Sequence, residues 1–252
     1  MQKLSAVIIA FNEERNIKRC LHSLQGVADE IIVVDSYSVD NTASICEKHG
    51  AKVVQQKWQG YSEQKNFANR LASHDYILSI DADEALSEEL RSSILNIKNE
   101  GLSGAYQFNR LNNYCGHWIK HSSWYPDTKL RIWNKNKGEW QGEIHETIAF
   151  KTPVNIQLLK GDLLHYSYYE IKEHIAQANK FSEIAAEDRY RKGKTVNFAK
   201  VLFAPFFKFI KEYFIKLGIL DGKAGLIVCM ISSHETFLKY SKLYFKHLSK
   251  KD

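Results

Sequence analysis

Apolar and polar positions in the first hundred residues alternate between two periods. Short, largely apolar runs fall at 4–11, 30–35 (EIIVVD), 51–54 and 75–80 (DYILSI). Between them the spacing is helical. Residues 13–24 place Ile17, Cys20, Leu21 and Leu24 on one face, 40–49 follow with Asp40 or Asn41 at the capping position, and 62–72 and 86–97 complete the series. Strands without polar alternation are buried on both faces, as in a parallel sheet covered by helices. The pattern predicts an α/β fold with a mostly parallel central sheet.

After Gly101 the texture changes. Residues 106–140 are rich in aromatics, Asn and Lys with little helical period, and read as short strands and loops that cover the sheet edge and receive an acceptor. Helical spacing returns over 169–191, with Ile171, Ile175, Ala178, Phe181 and Ala185 on one face, and Gly193 then marks off a tail. At 100° per residue through 198–217, Lys200, Lys208, Lys211, Glu212 and Lys216 share one half of the wheel. Leu202, Phe203, Phe206, Phe207, Phe209, Ile210, Tyr213, Phe214 and Leu217 share the other, with Val201 and Ile215 as exceptions. Pro205 should kink this helix or mark its start. Lysines opposite phenylalanines describe a helix lying in a membrane interface, and 237–248 resumes a basic amphipathic pattern. The alternative is a helix packed on the catalytic body. The expected division is 1–192 as catalytic domain (1–100 nucleotide-binding, 101–192 acceptor-binding) and 193–252 as membrane-associating amphipathic helices.

Composition narrows the classes. Among 252 residues, 44% hydrophobic and 25% charged is the balance of a folded globular chain. The four cysteines are dispersed and form no metal-ligand pair, which fits reduced thiols in the cytoplasm. The opening MQKLSAVIIAF reads as a buried strand rather than a signal peptide, and no run reaches the roughly 18 apolar residues of a membrane span. Residues 191–252 hold 13 Lys and Arg against 4 Asp and Glu, so the net +6 of the chain hides a slightly acidic body and a basic tail. That asymmetry excludes a uniformly basic nucleic-acid binder and fits a protein at the inner face of the cytoplasmic membrane.

Open α/β sheets bind ligands beyond the carboxyl ends of their strands. Three of the four strands end in polar signatures here: Phe11-Asn12-Glu13-Glu14, Asp35-Ser36-Tyr37-Ser38-Val39-Asp40-Asn41-Thr42, and Asp81-Ala82-Asp83-Glu84. Gathered on one rim, these carboxylates repel one another unless a cation or a donor-rich ligand joins them. Asp81 and Asp83, two residues apart, fall on one side of an extended chain. Oxygen ligation of this kind suits Mg²⁺ or Mn²⁺ held together with substrate phosphates.

The segments LSAVIIAFNEERNIKRCLHSL, EIIVVDSYSVDNTASI and ILSIDADEAL resemble, in order and separation, the signatures of glycosyltransferase family 2. QGYSEQKNFANRLA, WYPDTKLRIW, GEIHE and LLHYSYYE resemble its branch of lipopolysaccharide core β-glucosyltransferases. The resemblance implies a GT-A fold and an inverting transfer of a hexose to a lipid-linked or lipopolysaccharide-type saccharide. The donor the resemblance implies is a nucleotide-diphosphate sugar, a UDP-hexose such as UDP-glucose. Two alternatives stand beside it: transfer to polyprenyl phosphate, and a nucleotide- or carbohydrate-binding module without catalysis.

Carried over residue by residue, the resemblance gives Asp35 the nucleotide base, since a carboxylate accepts from an imide N–H. Asn12 and Glu13 fall in the loop around base and ribose, although Glu13 is equally placed as a first-turn helix acid. Lys65 and Asn66 lie near the nucleotide, Lys65 as a phosphate contact or a solvated lysine. Asp81 would meet the ribose, and Asp83 and His165 the metal. Glu146 is the expected base, with Glu143 the second choice. Trp124, Tyr125, Asp127 and Arg131 are expected to bind the acceptor. His145 joins them as a metal, phosphate or acceptor contact, or as a hydrogen-bonding core histidine.

Overall fold

A computed structural model describes residues 2–142 and 146–248. In chain order its elements are β1 (Leu4–Ala10), α1 (Ile17–Leu24), β2 (Glu30–Asp35), α2 (Thr42–Lys48), β3 (Lys52–Gln55), α3 (Tyr61–Leu71), β4 (Tyr76–Asp81), β5 (Glu84–Leu86), α4 (Glu88–Glu100), β6 (Ala105–Tyr114), β7 (His117–Ile119), β8 (Asp127–Asn134), β9 (Gly138–Gln141), β10 (Thr147–Phe150) and β11 (Ile156–Tyr168), followed by α5 (Ile171–Arg191), α6 (Phe198–Ile210) and α7 (Gly222–Leu248). The chain divides into two compact units. The first holds Met1–Arg110 and Asp127–Tyr166, and the second Leu111–Pro126 and Ser167–Asp252.

The first unit is built on the strand order β3-β2-β1-β4-β8-β6-β11-β5. β3, β2, β1 and β4 are mutually parallel. Successive residues of β1 serve opposite faces, as a two-residue period dictates. Leu4, Ala6, Ile8 and Ala10 pack with Ile17, Cys20, Leu21 and Leu24 of α1 and Leu90 and Ile94 of α4. Val7 instead joins Ala68 of α3, Trp133 and Trp140. Burial on both sides is what the largely apolar runs predict.

Beyond β4 the sheet changes direction, and the expectation of a mostly parallel sheet is corrected: the sheet is mixed. β8 returns antiparallel to β4, β6 is antiparallel to β8, and β5 is antiparallel to β11. Of the strands expected as short pieces over the edge, β6 and β8 are long members of the sheet itself, whereas β7 is short and β9 pairs with β10 in a separate two-stranded sheet. β11 passes close to the start of α4, and Gly161 makes the crossing possible. Its φ is +90°, and a Cβ there would lie 2.2 Å from the Leu90 nitrogen. Beside it Ser87 caps α4 through its Oγ, which accepts from the Leu90 N–H and also from the Asp162 N–H.

In the second unit α7 packs against both α5 and α6. The buried side of α5 is His174, Ala178, Ser182 and Ala186. The face expected from periodicity is therefore corrected, because Ile171, Ile175 and Phe181 are exposed. Small side chains allow the close approach, and Lys242 Nζ of α7 donates to the Asn179 carbonyl and to Ser182 Oγ at 2.9 Å each. Tyr114, Ile119, Ala224 and Val228 form a further core with Trp124 and Tyr168. α6 contains Pro205 and runs into a π-helical turn at Lys211–Ile215 and a 3₁₀ turn at Gly218–Asp221. No helix among the described residues is long and apolar enough to cross a membrane.

Candidate active site

The ends of β1, β2 and β4 lie side by side because their strands are neighbours in the sheet. The first two loops are stitched together. The Asn12 N–H donates to Ser38 Oγ at 2.9 Å, Glu13 N–H to Thr42 Oγ1 at 2.7 Å and Glu14 N–H to Asp40 Oδ2 at 3.1 Å. In return the Val39 N–H donates to Asn12 Oδ1 at 2.9 Å and the Asn41 N–H to Glu14 Oε2 at 3.1 Å. α1 begins at Ile17 rather than at Glu13. Asp40 Oδ1 accepts from the Thr42 N–H at 3.0 Å and from the Thr42 hydroxyl, while the N-cap position of α2 is Asn41, whose side chain makes no capping bond.

Asp35 is fully buried at the end of β2, where its carboxylate accepts from the Ser38 N–H at 3.0 Å and from the Ser38 hydroxyl. That closes the turn and still leaves acceptor capacity, since an ionised carboxylate has about four lone-pair sites. Glu13 is held above the ordinary carboxylate range, first by burial and then by the charges of Asp83, Asp40 and Asp81, with a hydrogen bond from Asn16 offsetting part of the rise.

Asp81 ends β4 between two cations. Lys65 of α3 lies 3.1 Å from its Oδ1 and Arg131 of β8 lies 2.8 Å from its Oδ2. Burial opposes ionisation of Asp81, yet these two cations hold its carboxyl far below the usual range. Lys65 reaches on to Glu146 Oε2, also at 3.1 Å, so one buried ammonium joins the β4 carboxylate to the expected base. Its charge also sits 4.7 Å from the centroid of the Trp140 ring. Asn66, one residue further, donates to the Trp140 carbonyl and accepts from the Trp140 N–H at 2.9 Å each, fixing β9 to α3.

Arg131 is expected from sequence to face an acceptor, and the structure buries it beneath the rim. Its guanidinium bridges Asp81 and Glu84 at 2.8 Å each. Burial disfavours its charge, but Asp81 and Glu84 raise its affinity for the proton above the ordinary value. Glu84, which the sequence reading includes in the strand-end run but gives no role, has a fully buried side chain and also accepts from the Asp81 N–H at 3.0 Å. Only its place directly after the D-x-D triplet could have pointed to it. Asp127 pairs with Arg110 at 2.8 Å and Lys129 at 2.9 Å. Trp124 belongs to the second unit, where its ring packs edge-on against Tyr114 and His174. Tyr125 precedes Pro126 through a cis peptide bond in the same unit. Glu143 and His145 lie outside the described residues.

Asp83 leaves this ion-pair network. Its Oδ2 lies 3.1 Å from His165 Nε2, brought there because β11 runs beside β5 with His165 opposite Glu84. One carboxylate and one imidazole form a donor set that suits a divalent cation completed by substrate phosphates and water. No group of three His, Cys, Asp or Glu ligands converges among the described residues.

The strand ends of the parallel half thus gather carboxylates around an Asp-Ala-Asp triplet, on the rim where open α/β sheets bind their ligands. The chain belongs to glycosyl transferase family 2, whose family model matches residues 5–159, and it is a glycosyltransferase. An uncharacterized glycosyltransferase of Rickettsia typhi is 34% identical over 96% of this chain and 87% of its own. The lipopolysaccharide core biosynthesis glycosyltransferase LpsC of Rhizobium meliloti is 30% identical over 98% and 94%. Among solved structures, glucosyl-3-phosphoglycerate synthase of Mycobacterium tuberculosis, in complex with Mn²⁺, UDP and glucosyl-3-phosphoglycerate, is 24% identical, covers 44% of each chain and has a TM-score of 0.36. TarS of S. aureus, residues 1–349, is 14% identical over 100% of this chain and 92% of its own, with a TM-score of 0.48.

Proposed function

We propose that this enzyme transfers a hexose, with inversion, from a UDP-linked donor such as UDP-glucose to a lipid-linked saccharide of the lipopolysaccharide inner-core type at the inner face of the cytoplasmic membrane. The observation that carries the reading is the Lys65 bridge, with one ammonium 3.1 Å from both Asp81 and Glu146. It joins the donor side of the rim to a carboxylate suited to act on the acceptor. The relative named for lipopolysaccharide core biosynthesis, matched almost end to end, supports the acceptor class.

In this reading Asp35 accepts from the uracil imide, and Asn12 and Glu13 border base and ribose. Asp81 binds a ribose hydroxyl, while Lys65 meets diphosphate oxygen as a compact positive charge. Glu146 removes the proton of the acceptor hydroxyl as its oxygen bonds to the anomeric carbon. The bond from that carbon to the diphosphate oxygen breaks, and its electron pair leaves with UDP. Asp83 and His165 would hold Mg²⁺ or Mn²⁺, which supplies positive charge to the departing diphosphate.

UDP release from a panel of UDP- and GDP-sugars, with lipopolysaccharide core extract as acceptor, tests the assignment with and without EDTA. We expect acceptor-stimulated UDP release that EDTA abolishes. Asp83→Ala should lose at least about 10²-fold in rate, the scale of one preorganised electrostatic group. Full turnover in EDTA, or an Asp83→Ala enzyme as fast as the parent, refutes the metal role. Stimulation by polyprenyl phosphate alone refutes the acceptor.

A further inference from the structure

Three helices of the second unit each direct one cation at a single ring. Arg189 of α5 has its Cζ 5.6 Å from the centroid of Tyr240, Lys200 of α6 has its Nζ at 5.3 Å, and Lys239 of α7 has its Nζ at 4.9 Å. The ring face attracts each cation, but the three charges also repel one another. The acids nearby are engaged elsewhere. Glu212 binds Lys208 at 2.5 Å, Glu183 binds Lys242 and Lys246, Glu187 binds Lys246 and Arg191, and Asp188 binds Lys192. Glu235, one turn before Lys239 on α7, is the acid that acts on it, and burial raises the Glu235 carboxyl above its ordinary range. The Lys239 ammonium is held below its ordinary value, first by burial and then by Arg189, with Lys208 and Lys200 adding to the effect.

Arg189, Lys239 and Tyr240 are half-buried and Lys200 is exposed, so two of the charges are held beside the ring while the third reaches it from an open position. Such a cluster is completed by an anion with several acceptor oxygens. The apolar surroundings indicate which anion. Lys200 shares α6 with Phe198, Leu202, Phe203, Phe206 and Phe207, all at least half exposed, and Phe198 packs against Tyr244 with ring centroids 5.7 Å apart. A soluble phosphate has no use for an apolar border, whereas a phospholipid presents its phosphate directly above hydrocarbon.

We propose that Arg189, Lys200 and Lys239 form a binding site for the phosphate of an anionic phospholipid headgroup, with the exposed phenylalanine face of α6 set into the adjoining acyl boundary. The site rests on the membrane-surface part of the proposed function and not on glycosyl transfer.

The test uses the full chain and vesicles of phosphatidylcholine with and without phosphatidylglycerol, and measures co-sedimentation. Binding should rise with phosphatidylglycerol. The triple variant Arg189→Gln, Lys200→Gln, Lys239→Gln is compared with Lys211→Gln, Lys216→Gln, Lys223→Gln, which removes equal charge from the same helical region. Diffuse attraction loses about fivefold per lysine in either triple, and the first should lose at least about tenfold more. Thermal unfolding of that triple should stay at the parental temperature or rise, because like charges have been removed. Phe203→Ser with Phe207→Ser should weaken binding to both vesicle types. Equal losses in the two triples overturn the site and leave membrane association standing, while a parent that ignores both vesicle types overturns both. Calorimetric binding of inorganic phosphate, lost in the first triple while its vesicle binding stays parental, assigns the site to a soluble anion and also overturns the proposal.

Discussion

Arg131 holds two carboxylates on one guanidinium, and their unequal burial decides what its removal does. The Glu84 side chain is fully buried while Asp81 is partly open. In Arg131→Met the open carboxylate retains Lys65 and water, but buried Glu84 keeps the Asp81 N–H at 3.0 Å and a single, more distant cation, Arg110 at 3.6 Å. Breaking a buried pair from one side costs about 3–5 kcal/mol, which urea denaturation will read. Adding Glu84→Gln should recover part of that loss, and full stability in the single variant would refute the account. At Glu146, replacement by Gln keeps size and removes the proton acceptor. Turnover should fall about 10²–10⁴-fold with UDP affinity retained in calorimetry, and an active Glu146→Gln with an inactive Glu143→Gln would move the base to Glu143. The sequence places Asp81 and Asp83 at a strand end unaided, because a buried run followed by D-x-D is a local signal. Arg131 is different. Its partner lies 50 residues away, and only the antiparallel return of β8, with Leu78 opposite Ile132, brings the two together.

At the scale of elements, α5 shows how hydropathy misleads when close packing is made by small residues. Ala178, Ser182 and Ala186 carry little apolar signal but face the core, along with His174. His174 is almost fully buried, and burial lowers its pKa to about 4. Its unfolded value lies near 6.5, so between these two values the unfolded chain binds the extra proton. The stability contributed by the neutral ring is complete above about pH 6.5. It is lost as pH falls toward 4, by up to about 3 kcal/mol. Denaturant midpoints measured across that window should fall for the parent and be flatter for His174→Gln. An identical pH slope in the two proteins would exclude His174 as the cause. The four parallel strands and their helices were legible to within a few residues, because each carries its own period and its own stops. β6, β8 and β11 were not, since antiparallel pairing at long separation leaves no mark on a local window.

For the whole molecule, charge and hydropathy divide differently from the chain itself. The basic tail belongs to a unit that also takes Leu111–Pro126 from the middle of the sequence, an assignment that composition along the chain does not reveal. Within the first unit, the loops after β1 and β2 hold each other through reciprocal bonds, with Asn12, Glu13 and Glu14 on one side and Ser38, Val39, Asp40, Asn41 and Thr42 on the other. In each of these bonds a backbone N–H of one loop meets a side chain of the other. A substitution at Asp40 or Thr42 is therefore felt as an unsatisfied amide at Glu14 or Glu13. The two loops make up one unit of inheritance, so a descendant enzyme with a new nucleotide preference would have to revise both together, and grafting either loop alone into a relative would carry over a half-lock without its key.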